Sequence, residues 1–171
     1  MYSAEDILNA REERVEFQQE LLQKFKETLI TMRVNYPGIN KDNSITRGII
    51  SIMKHNLYDL FKHNIIFKKE EVRAEGPLVY LVVKGDSRDI KIKTIELEEA
   101  HALGRLLDID VYDKEGNSLS RSELGFEKRK CFICNEEAHL CVRARKHKEE
   151  HIKDFIKNKY EEYLQVGKED E

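Results

Sequence analysis

Hydrophobic positions recur with helical spacing at the start of the chain and again after residue 44. Ser3 to Asp6 resembles a capping box, and apolar residues from Ile7 to Phe25 keep the helical period, which predicts a helix over the first ~25 residues. Ser44 can cap a second helix. The buried face of that helix is expected to carry Ile49, Ile50, Met53, Leu57, Leu60 and Phe61.

Four segments have the β-branched or alternating composition of strands, namely residues 28–35, 65–73, 78–83 and 106–112. Residues 75–77 (Glu-Gly-Pro) predict a hairpin turn between the second and third. Residues 86–99 fit either structure, and the spacing of Ile90, Thr94 and Leu97 favours a helix. The order from residue 28 is then β-α-β-β-α-β, which predicts an α+β fold with a ferredoxin-like sheet.

Neither a repeat nor a low-complexity linker divides the chain, and its 171 residues suit one domain. We expect an N-terminal helix at residues 1–27, an α/β core at 28–113, and a Cys-rich turn with C-terminal helices at 114–171. Residues 136–165 have a helical composition.

Composition narrows the classes of protein. Hydrophobic residues make up 40% and charged residues 37%, so a core can form and disorder is not expected. The net charge of −3 disfavours an electrostatic nucleic-acid binder. Basic residues still cluster at 128–130 and 143–148, where they would suit phosphate groups, an acidic protein partner or simply a solvated helix face. No signal peptide or membrane span is predicted, so we expect a cytoplasmic protein without a membrane partner.

Asp108 and Asp110 are the most informative polar pair. On a strand, residues two apart share a face, so both carboxylates would point away from the apolar set Leu107, Ile109 and Val111. Adjacent carboxylates repel unless a cation lies between them, and Mg²⁺ prefers such ligands together with phosphate oxygens. The alternative is a solvated face of an edge strand.

Three cysteines lie within eleven residues, at Cys131, Cys134 and Cys141, with His139 and His147 nearby. Thiolate and imidazole ligands at this range suit zinc. Cys141 and His147 would be about 240° apart on an ideal helix, so both reach one ion only if the helix is distorted or starts late. Packing of buried thiols and a redox dithiol stay open.

Motifs along nearly the whole chain resemble those of the CitX family, the citrate lyase holo-acyl-carrier-protein synthases. The main one is EEAHALGRLLDIDV at residues 98–111. Ala102 departs from the family pattern, which has proline there. The further matches are NYPGINK at 35–41, Gly116, LSR at 119–121, LG at 124–125, RKCFIC at 129–134, Ala138, Cys141, Arg143 and His147.

This resemblance implies a nucleotidyltransferase-like enzyme. Its substrate would be 2′-(5″-triphosphoribosyl)-3′-dephospho-CoA, and its partner the apo acyl carrier (gamma) subunit of citrate lyase. The phosphoribosyl-dephospho-CoA group would pass to a serine of that subunit, and pyrophosphate would leave.

The resemblance also assigns roles to residues. Asp108 and Asp110 would hold Mg²⁺, Arg105 would bind phosphate, and one aspartate or His101 would accept the serine proton. Independently of the resemblance, the residue types and spacing make Cys131, Cys134, Cys141 and His147 the candidate zinc ligands, beside the packing and redox alternatives. The residues expected to bind substrate are Asn35, Gly38, Lys41, Gly104, Arg121, Arg129 and Arg143.

Two other functions stay open. One is the related carrier synthase of malonate decarboxylase, which differs in the carrier alone. The other is a non-catalytic, zinc-stabilised adaptor that binds an acidic carrier protein through its basic helix. An adaptor would keep full partner binding after Asp108→Asn and would have no Mg²⁺-dependent activity to lose.

Overall fold

A four-stranded antiparallel sheet forms the centre of the structure, a computed structural model that describes residues 2–169. The strands are β1 (Thr28–Val34), β2 (Ile65–Arg73), β3 (Gly76–Val83) and β4 (Leu107–Tyr112). The helices are α1 (Ala4–Phe25), α2 (Ser44–Phe61), α3 (Ser87–Ala100), α4 (Ala138–Ala144) and α5 (Glu149–Glu169). Short 3₁₀ turns lie at Gly104–Leu106 and Ser122–Leu124. The expected α+β class is confirmed.

The strand order across the sheet is β2-β3-β1-β4, and each neighbouring pair is antiparallel. Residues 86–99 are helical, as their spacing favoured. The hairpin between β2 and β3 turns at Ala74 and Glu75, one residue earlier than predicted, because Gly76 and Pro77 already pair with β2. Pro77 lies at the start of its strand, where a missing N–H is best tolerated.

The two faces of the sheet bury separate clusters. One face packs against α2, α3 and α5, with Ile30, Leu81 and Ile109 among the residues that the sheet contributes. The other packs against α1, where Leu21 contacts a cluster that includes Leu29 and Tyr80. With helices on both faces, the central strands β1 and β3 are buried almost throughout. Of the outer strands, β4 alternates buried and partly exposed positions, and β2 alternates partly exposed and exposed ones.

The helix starts are fixed by polar side chains. Ser3 and Asp6 form the predicted capping box of α1. The N-cap of α2 is Asn43 rather than Ser44: the Asn43 side chain accepts two backbone N–H groups of the first turn, so Ser44 becomes the first helical residue. Leu60 is 38% exposed and does not share the buried face predicted for it.

The C-terminal segment is two helices, with a break between them. Arg145 ends α4 in the left-handed conformation (φ 47°), and its backbone N–H bonds back into the last turn of α4. The chain therefore changes direction before α5 begins. None of the helices within residues 2–169 combines the length and apolar character that crossing a bilayer requires.

Side chains close the outer edge of β4, where no fifth strand pairs within the described chain. Glu98 accepts the Ile109 N–H at 3.2 Å, and Lys91 donates to the Ile109 carbonyl at 2.8 Å. Arg129 donates to the Leu107 carbonyl at 2.9 Å. Backbone groups that would otherwise attract another chain are thus satisfied, and β4 is held in place from the α3 side.

Gly104 lies where the chain passes from α3 to β4. It is buried, and a Cβ atom at this position would overlap the backbone carbonyl of Glu98. The glycine permits this close approach, which brings Glu98 to the edge of β4.

We expect Gly104→Ala to destabilise the protein by about 1–3 kcal/mol, because rigid backbone, unlike a flexible side chain, cannot move aside. Urea unfolding measures the change. Gly167→Ala is the matched control, since open space surrounds that position, and it should leave stability nearly unchanged. Equal stability of the Gly104→Ala variant and the wild type would show that the α3–β4 connection is loosely packed.

Candidate functional site

Asp108 and Asp110 lie side by side on β4, on the sheet face that α1 covers. Their neighbours Leu107, Ile109 and Val111 point into the opposite core, as the alternation predicted. Each aspartate side chain is 30% exposed, so the pair is neither sealed in the core nor fully solvated.

Arg33 of β1 is the cross-strand partner of Asp108 and lies against both carboxylates. Its Nε and Nη2 donate to Asp108 Oδ2 at 3.0 and 2.7 Å. The same Nη2 is 4.0 Å from Asp110 Oδ2. A fixed guanidinium thus compensates Asp108 directly and Asp110 only in part.

The two aspartates have opposite pKa shifts. Burial raises the pKa of Asp108, but the charge and hydrogen bonds of Arg33 outweigh burial and leave that pKa below its usual range. Burial and the charge of Asp108 raise the pKa of Asp110, because Arg33 compensates it less fully. Asp108 is therefore the more strongly ionised member of the pair, and Asp110 holds a proton more readily. Such a separation is frequent at functional sites.

Glu75, in the β2–β3 turn, holds Arg33 from the other side. Its side chain is 5% exposed and accepts from Arg11 at 3.2 Å, Arg14 at 2.8 Å and Arg33 at 3.2 Å. One buried carboxylate thus organises three guanidinium groups from α1 and β1. Sequence reasoning missed these residues, because they are 42 to 64 positions from Glu75 and form no motif.

Two cavities adjoin the carboxylate pair. The larger, about 800 Å³, lies between α1 and the end of β4 and includes Asp110 in its wall. The smaller, about 140 Å³, includes Asp108. Arg33 borders both cavities. The pair therefore lies where two open clefts meet.

The structure brings Asn35 and Lys41 to the smaller cavity, next to Asp108. The Lys41 ammonium donates to the Tyr36 carbonyl. Burial and the nearby positive charges of Arg11 and Arg33 lower the Lys41 pKa. Gly38 lies in the turn between these residues with φ 78°, and a Cβ atom there would overlap the carboxylate of Glu149.

Arg129 and Arg121 meet at Glu98, on the outer side of β4. Arg129 pairs with Glu98, and its Nη1 is 3.6 Å from Asp108 Oδ1, so it reaches the carboxylate pair. Arg121 pairs with Glu98 and Glu99, each at 2.9 Å. Both arginines were predicted from sequence to bind substrate, and in the structure both also stabilise the edge of β4.

The remaining predicted residues make other contacts. Arg105 donates to the carbonyls of Lys130 and Cys131, both at 3.3 Å. His101 ends α3 and accepts the Leu103 N–H through Nδ1, and its ring packs against Tyr163. Arg143 is exposed on α4. None of these contacts involves the carboxylate pair.

The three cysteines and His147 form one cluster. One ligand atom from each of Cys131, Cys134, Cys141 and His147 lies within 4.8 Å of the others. Cys134 Sγ is 3.5 Å from Cys141 Sγ and 3.4 Å from His147 Nε2. This Cys₃His cluster could hold a metal ion. His139, the alternative histidine, instead pairs with Glu137 at 3.3 Å.

The thiols of the cluster favour a bound cation. Burial and the adjacent thiols raise the pKa of Cys141 to about 12, because charge on one sulfur opposes charge on the next. A divalent ion would relieve this repulsion. The 3.5 Å between Cys134 Sγ and Cys141 Sγ is compatible with a shared metal ion, whose thiolate ligands lie within about 4 Å of each other.

The chain was compared with known proteins. The family model described as apo-citrate lyase phosphoribosyl-dephospho-CoA transferase, CitX, matches residues 2–163. Protein CitXG of Haemophilus influenzae is 38% identical over 159 residues, which are 91% of this chain and 34% of that protein. Protein CitXG of Leuconostoc mesenteroides subsp. cremoris is 34% identical over 145 residues, 82% of this chain and 31% of that protein.

A shorter relative is covered more fully. The apo-citrate lyase phosphoribosyl-dephospho-CoA transferase of Escherichia coli O1:K1 is 36% identical over 148 residues, 85% of this chain and 81% of that protein. The chain thus spans about a third of the CitXG proteins and about four-fifths of this shorter relative.

Fold and site together define an α+β protein with a paired-carboxylate centre and a Cys₃His cluster. The chain belongs to the apo-citrate lyase phosphoribosyl-dephospho-CoA transferase (CitX) family. The resemblance found in the sequence motifs is confirmed.

We expect Arg33→Gln to lower stability by about 2 kcal/mol at pH 7, the usual contribution of hydrogen bonds to a charged group. The lowered pKa of Asp108 gives stability above the ordinary aspartate value of about 3.9, and this stability is lost as pH falls through the folded-state pKa. The difference between variant and wild type should therefore shrink below about pH 4. Urea unfolding across pH in magnesium-free buffer measures it.

Arg47→Gln is the matched control, because Arg47 forms a forked pair with Asp42 at the surface. It should change stability little. A deficit of Arg33→Gln that stays constant from pH 7 to pH 3 would show that Asp108 is not the ionised partner.

Proposed function

We propose that this chain transfers the phosphoribosyl-dephospho-CoA group of 2′-(5″-triphosphoribosyl)-3′-dephospho-CoA to a serine of the apo acyl carrier (gamma) subunit of citrate lyase. The observation that carries the proposal is the position of Asp108 and Asp110, on one strand face between two cavities. Family membership supports the substrate and the partner, because the named relatives are transferases of this group.

The reaction exchanges one bond to phosphorus for another. The serine Oγ attacks the phosphorus that links the transferred group to the outer two phosphates, a P–O bond forms, and the P–O bond to pyrophosphate breaks. The serine proton passes to a base. One of the two aspartates is the favoured acceptor, since the contacts of His101 are with Leu103 and Tyr163 instead.

Asp108 and Asp110 would hold Mg²⁺. Two partly exposed carboxylates on one face match the hard-oxygen donors that this ion takes, with phosphate oxygens completing its ligands. When bound, the ion would neutralise charge on the triphosphate and on the leaving pyrophosphate. Arg33 and Arg129 contact Asp108 and would hold its carboxylate in place.

The carrier subunit would dock near the Cys₃His cluster. Basic residues flank the cluster at 128–130 and 143–148, and Arg143, Arg145 and Lys148 are exposed. Acyl carrier domains are generally acidic, so opposite charge would favour this surface. Arg105 would act here, through its contacts with the carbonyls of Lys130 and Cys131, rather than on phosphate.

We also infer that the Cys₃His cluster binds zinc, in a structural role. Three sulfurs and one imidazole nitrogen are a common closed ligand set for tetrahedral zinc. The ion would tie the turn at residues 131–134 to α4 and to the segment after it. The ferredoxin-like arrangement belongs to the same proposal, supported by the antiparallel order β2-β3-β1-β4.

The carboxylate pair also separates the proposed enzyme from the adaptor alternative. An adaptor has no use for two carboxylates whose pKa values are pushed apart beside cavities. The related malonate decarboxylase synthase would share this chemistry, and only the identity of the carrier distinguishes it.

We expect Asp108→Asn and Asp110→Asn each to reduce transfer on the order of 10³-fold, because each removes one ligand of the catalytic ion. Asp110→Asn should melt at or above the wild-type temperature, since it removes the repulsion that raises the Asp110 pKa. Mass spectrometry of the apo carrier, incubated with the triphosphate precursor and Mg²⁺, measures transfer.

Asp113→Asn is the control, because the backbone N–H groups of the following turn bond to Oδ1 of Asp113, an acceptor that asparagine keeps. Within the described residues, its Oδ2 accepts only from the exposed Asn117 side chain. The transfer rate of this variant should equal that of the wild type. Wild-type rates in both the Asp108 and Asp110 variants would leave the pair as a solvated strand face and refute the enzyme proposal.

For the Cys₃His cluster, we expect about one zinc ion per chain in protein purified without chelator. Cys134→Ser and His147→Asn should lose the metal and melt at lower temperature. His139→Asn should keep both, since His139 lies outside the cluster. Elemental analysis and thermal denaturation decide the matter, and a metal-free wild type would favour packing of thiols.

A further inference from the structure

The two cavities differ in size and chemistry, and the proposed substrate has two unequal parts. We propose that the larger cavity binds the nucleotide body that is transferred, and that the smaller one binds the pyrophosphate that leaves. This inference rests on the proposed function. It defines a direction for the substrate across Asp108 and Asp110, with residues of α1 as its binding wall.

Size separates the two roles. A space of about 140 Å³ admits a pyrophosphate but not a nucleoside. The larger space of about 800 Å³ is within the usual range of about 300–1,000 Å³ for nucleotide-sized ligands. Because Asp110 borders the larger cavity and Asp108 the smaller, the reacting phosphorus would lie between them. In-line displacement then requires the carrier serine to approach this phosphorus from the side opposite the pyrophosphate in the smaller cavity.

The wall of the larger cavity suits a base and a ribose. Three amide side chains of α1, those of Gln18, Gln19 and Gln23, line it together with Tyr112 of β4. Gln18 is 5% exposed, and its Nε2 makes no hydrogen bond of ordinary geometry within residues 2–169, although its side chain lies near the Tyr112 hydroxyl. A buried, unpaired amide costs about 1–3 kcal/mol, and a polar group of a ligand would offset that cost.

Cations border the larger cavity at its exposed side. Lys26 makes no ion pair with another residue of 2–169, and Lys114 pairs only with its neighbour Glu115, at 3.8 Å. Arg14, farther in, is fixed by Glu75. Dephospho-CoA carries a diphosphate of its own, so these charges have an anion to bind beside the nucleoside.

The smaller cavity has a surplus of positive charge. Arg11, Arg33 and Lys41 line it with two carboxylates, Glu75 and Asp108. Outside the lining, Glu149 lies near Lys41 and Asp110 near Arg33. Burial lowers the pKa of Lys41 most, and the positive charges of Arg11 and Arg33 lower it further. A pyrophosphate would neutralise the surplus charge of the lining, and the three cations would stabilise it as a leaving group.

Binding of two separate ligands tests the inference without relying on turnover. Dephospho-CoA and inorganic pyrophosphate, each with Mg²⁺, are titrated by calorimetry into the wild type and four variants. Gln18→Leu and Lys114→Gln alter the larger cavity, and Arg11→Gln alters the smaller. Lys62→Gln, an exposed position at the end of α2, is the matched control.

We expect Gln18→Leu and Lys114→Gln to weaken dephospho-CoA about tenfold and leave pyrophosphate unchanged. Arg11→Gln should weaken pyrophosphate about tenfold and leave dephospho-CoA unchanged. Lys62→Gln should change the affinity for neither ligand. Gln18→Leu should also keep the wild-type melting temperature or exceed it, because leucine has no amide to leave unpaired. Should Gln18→Leu fail to fold, Lys114→Gln, at an exposed position, still tests whether the larger cavity binds dephospho-CoA.

Loss of both ligands from the same variants, the reversed pattern, or no binding to the wild type would overturn the inference. The selective pattern without transfer to the carrier would refute the proposed function and leave the two binding sites standing. Transfer to the carrier without the selective binding pattern would support the proposed function and refute the assignment of the two cavities.

Discussion

Arg33 is the residue on which the carboxylate site depends. Its guanidinium lies between Asp108 and Asp110 on one side and Glu75 on the other. It therefore links β1 to β4 and to the β2–β3 turn, and through Glu75 to two arginines of α1. Removing one member of a partly buried ion-pair network leaves an uncompensated charge, which costs far more than a surface pair. The network thus fixes the site and also joins α1 to the sheet.

Periodicity made much of the fold predictable. A strand with one face in the core alternates apolar and polar residues. The alternation within residues 106–112 therefore predicted both β4 and the side of the sheet on which Asp108 lies. The β-branched, alternating residues of β1 and the apolar run of β3 predicted strands. Their burial under helices on both faces depends on which elements pack there. The cap of α2 was placed one residue late, because serine and asparagine both suit an N-cap and only the turn geometry chooses Asn43.

The metal cluster could be predicted in composition but not in geometry. On one continuous helix, Cys141 and His147 would point in different directions. The chain resolves this by ending α4 at Ala144 and turning back through Arg145, so His147 returns to the sulfurs. The Glu75 network left no such trace, since charged residues in a sequence do not reveal their partners. Arg121 and Arg129 were expected to bind substrate. Their ion pairs with Glu98 were not foreseen, because a sequence does not show which charged residues pair.

Both sides of β4 are held by charged side chains, and this constrains how the site can act. Glu98, Lys91 and Arg129 bind its outer backbone groups, while Arg33 binds its carboxylates from β1. A strand held in this way keeps Asp108 and Asp110 side by side despite their repulsion. Burial and the charge of Asp108 together keep the pKa of Asp110 raised. That repulsion favours any cation that lies between the two carboxylates. The folded chain thus holds these charges in place before a ligand binds. The entropy lost in ordering them is part of folding rather than of binding.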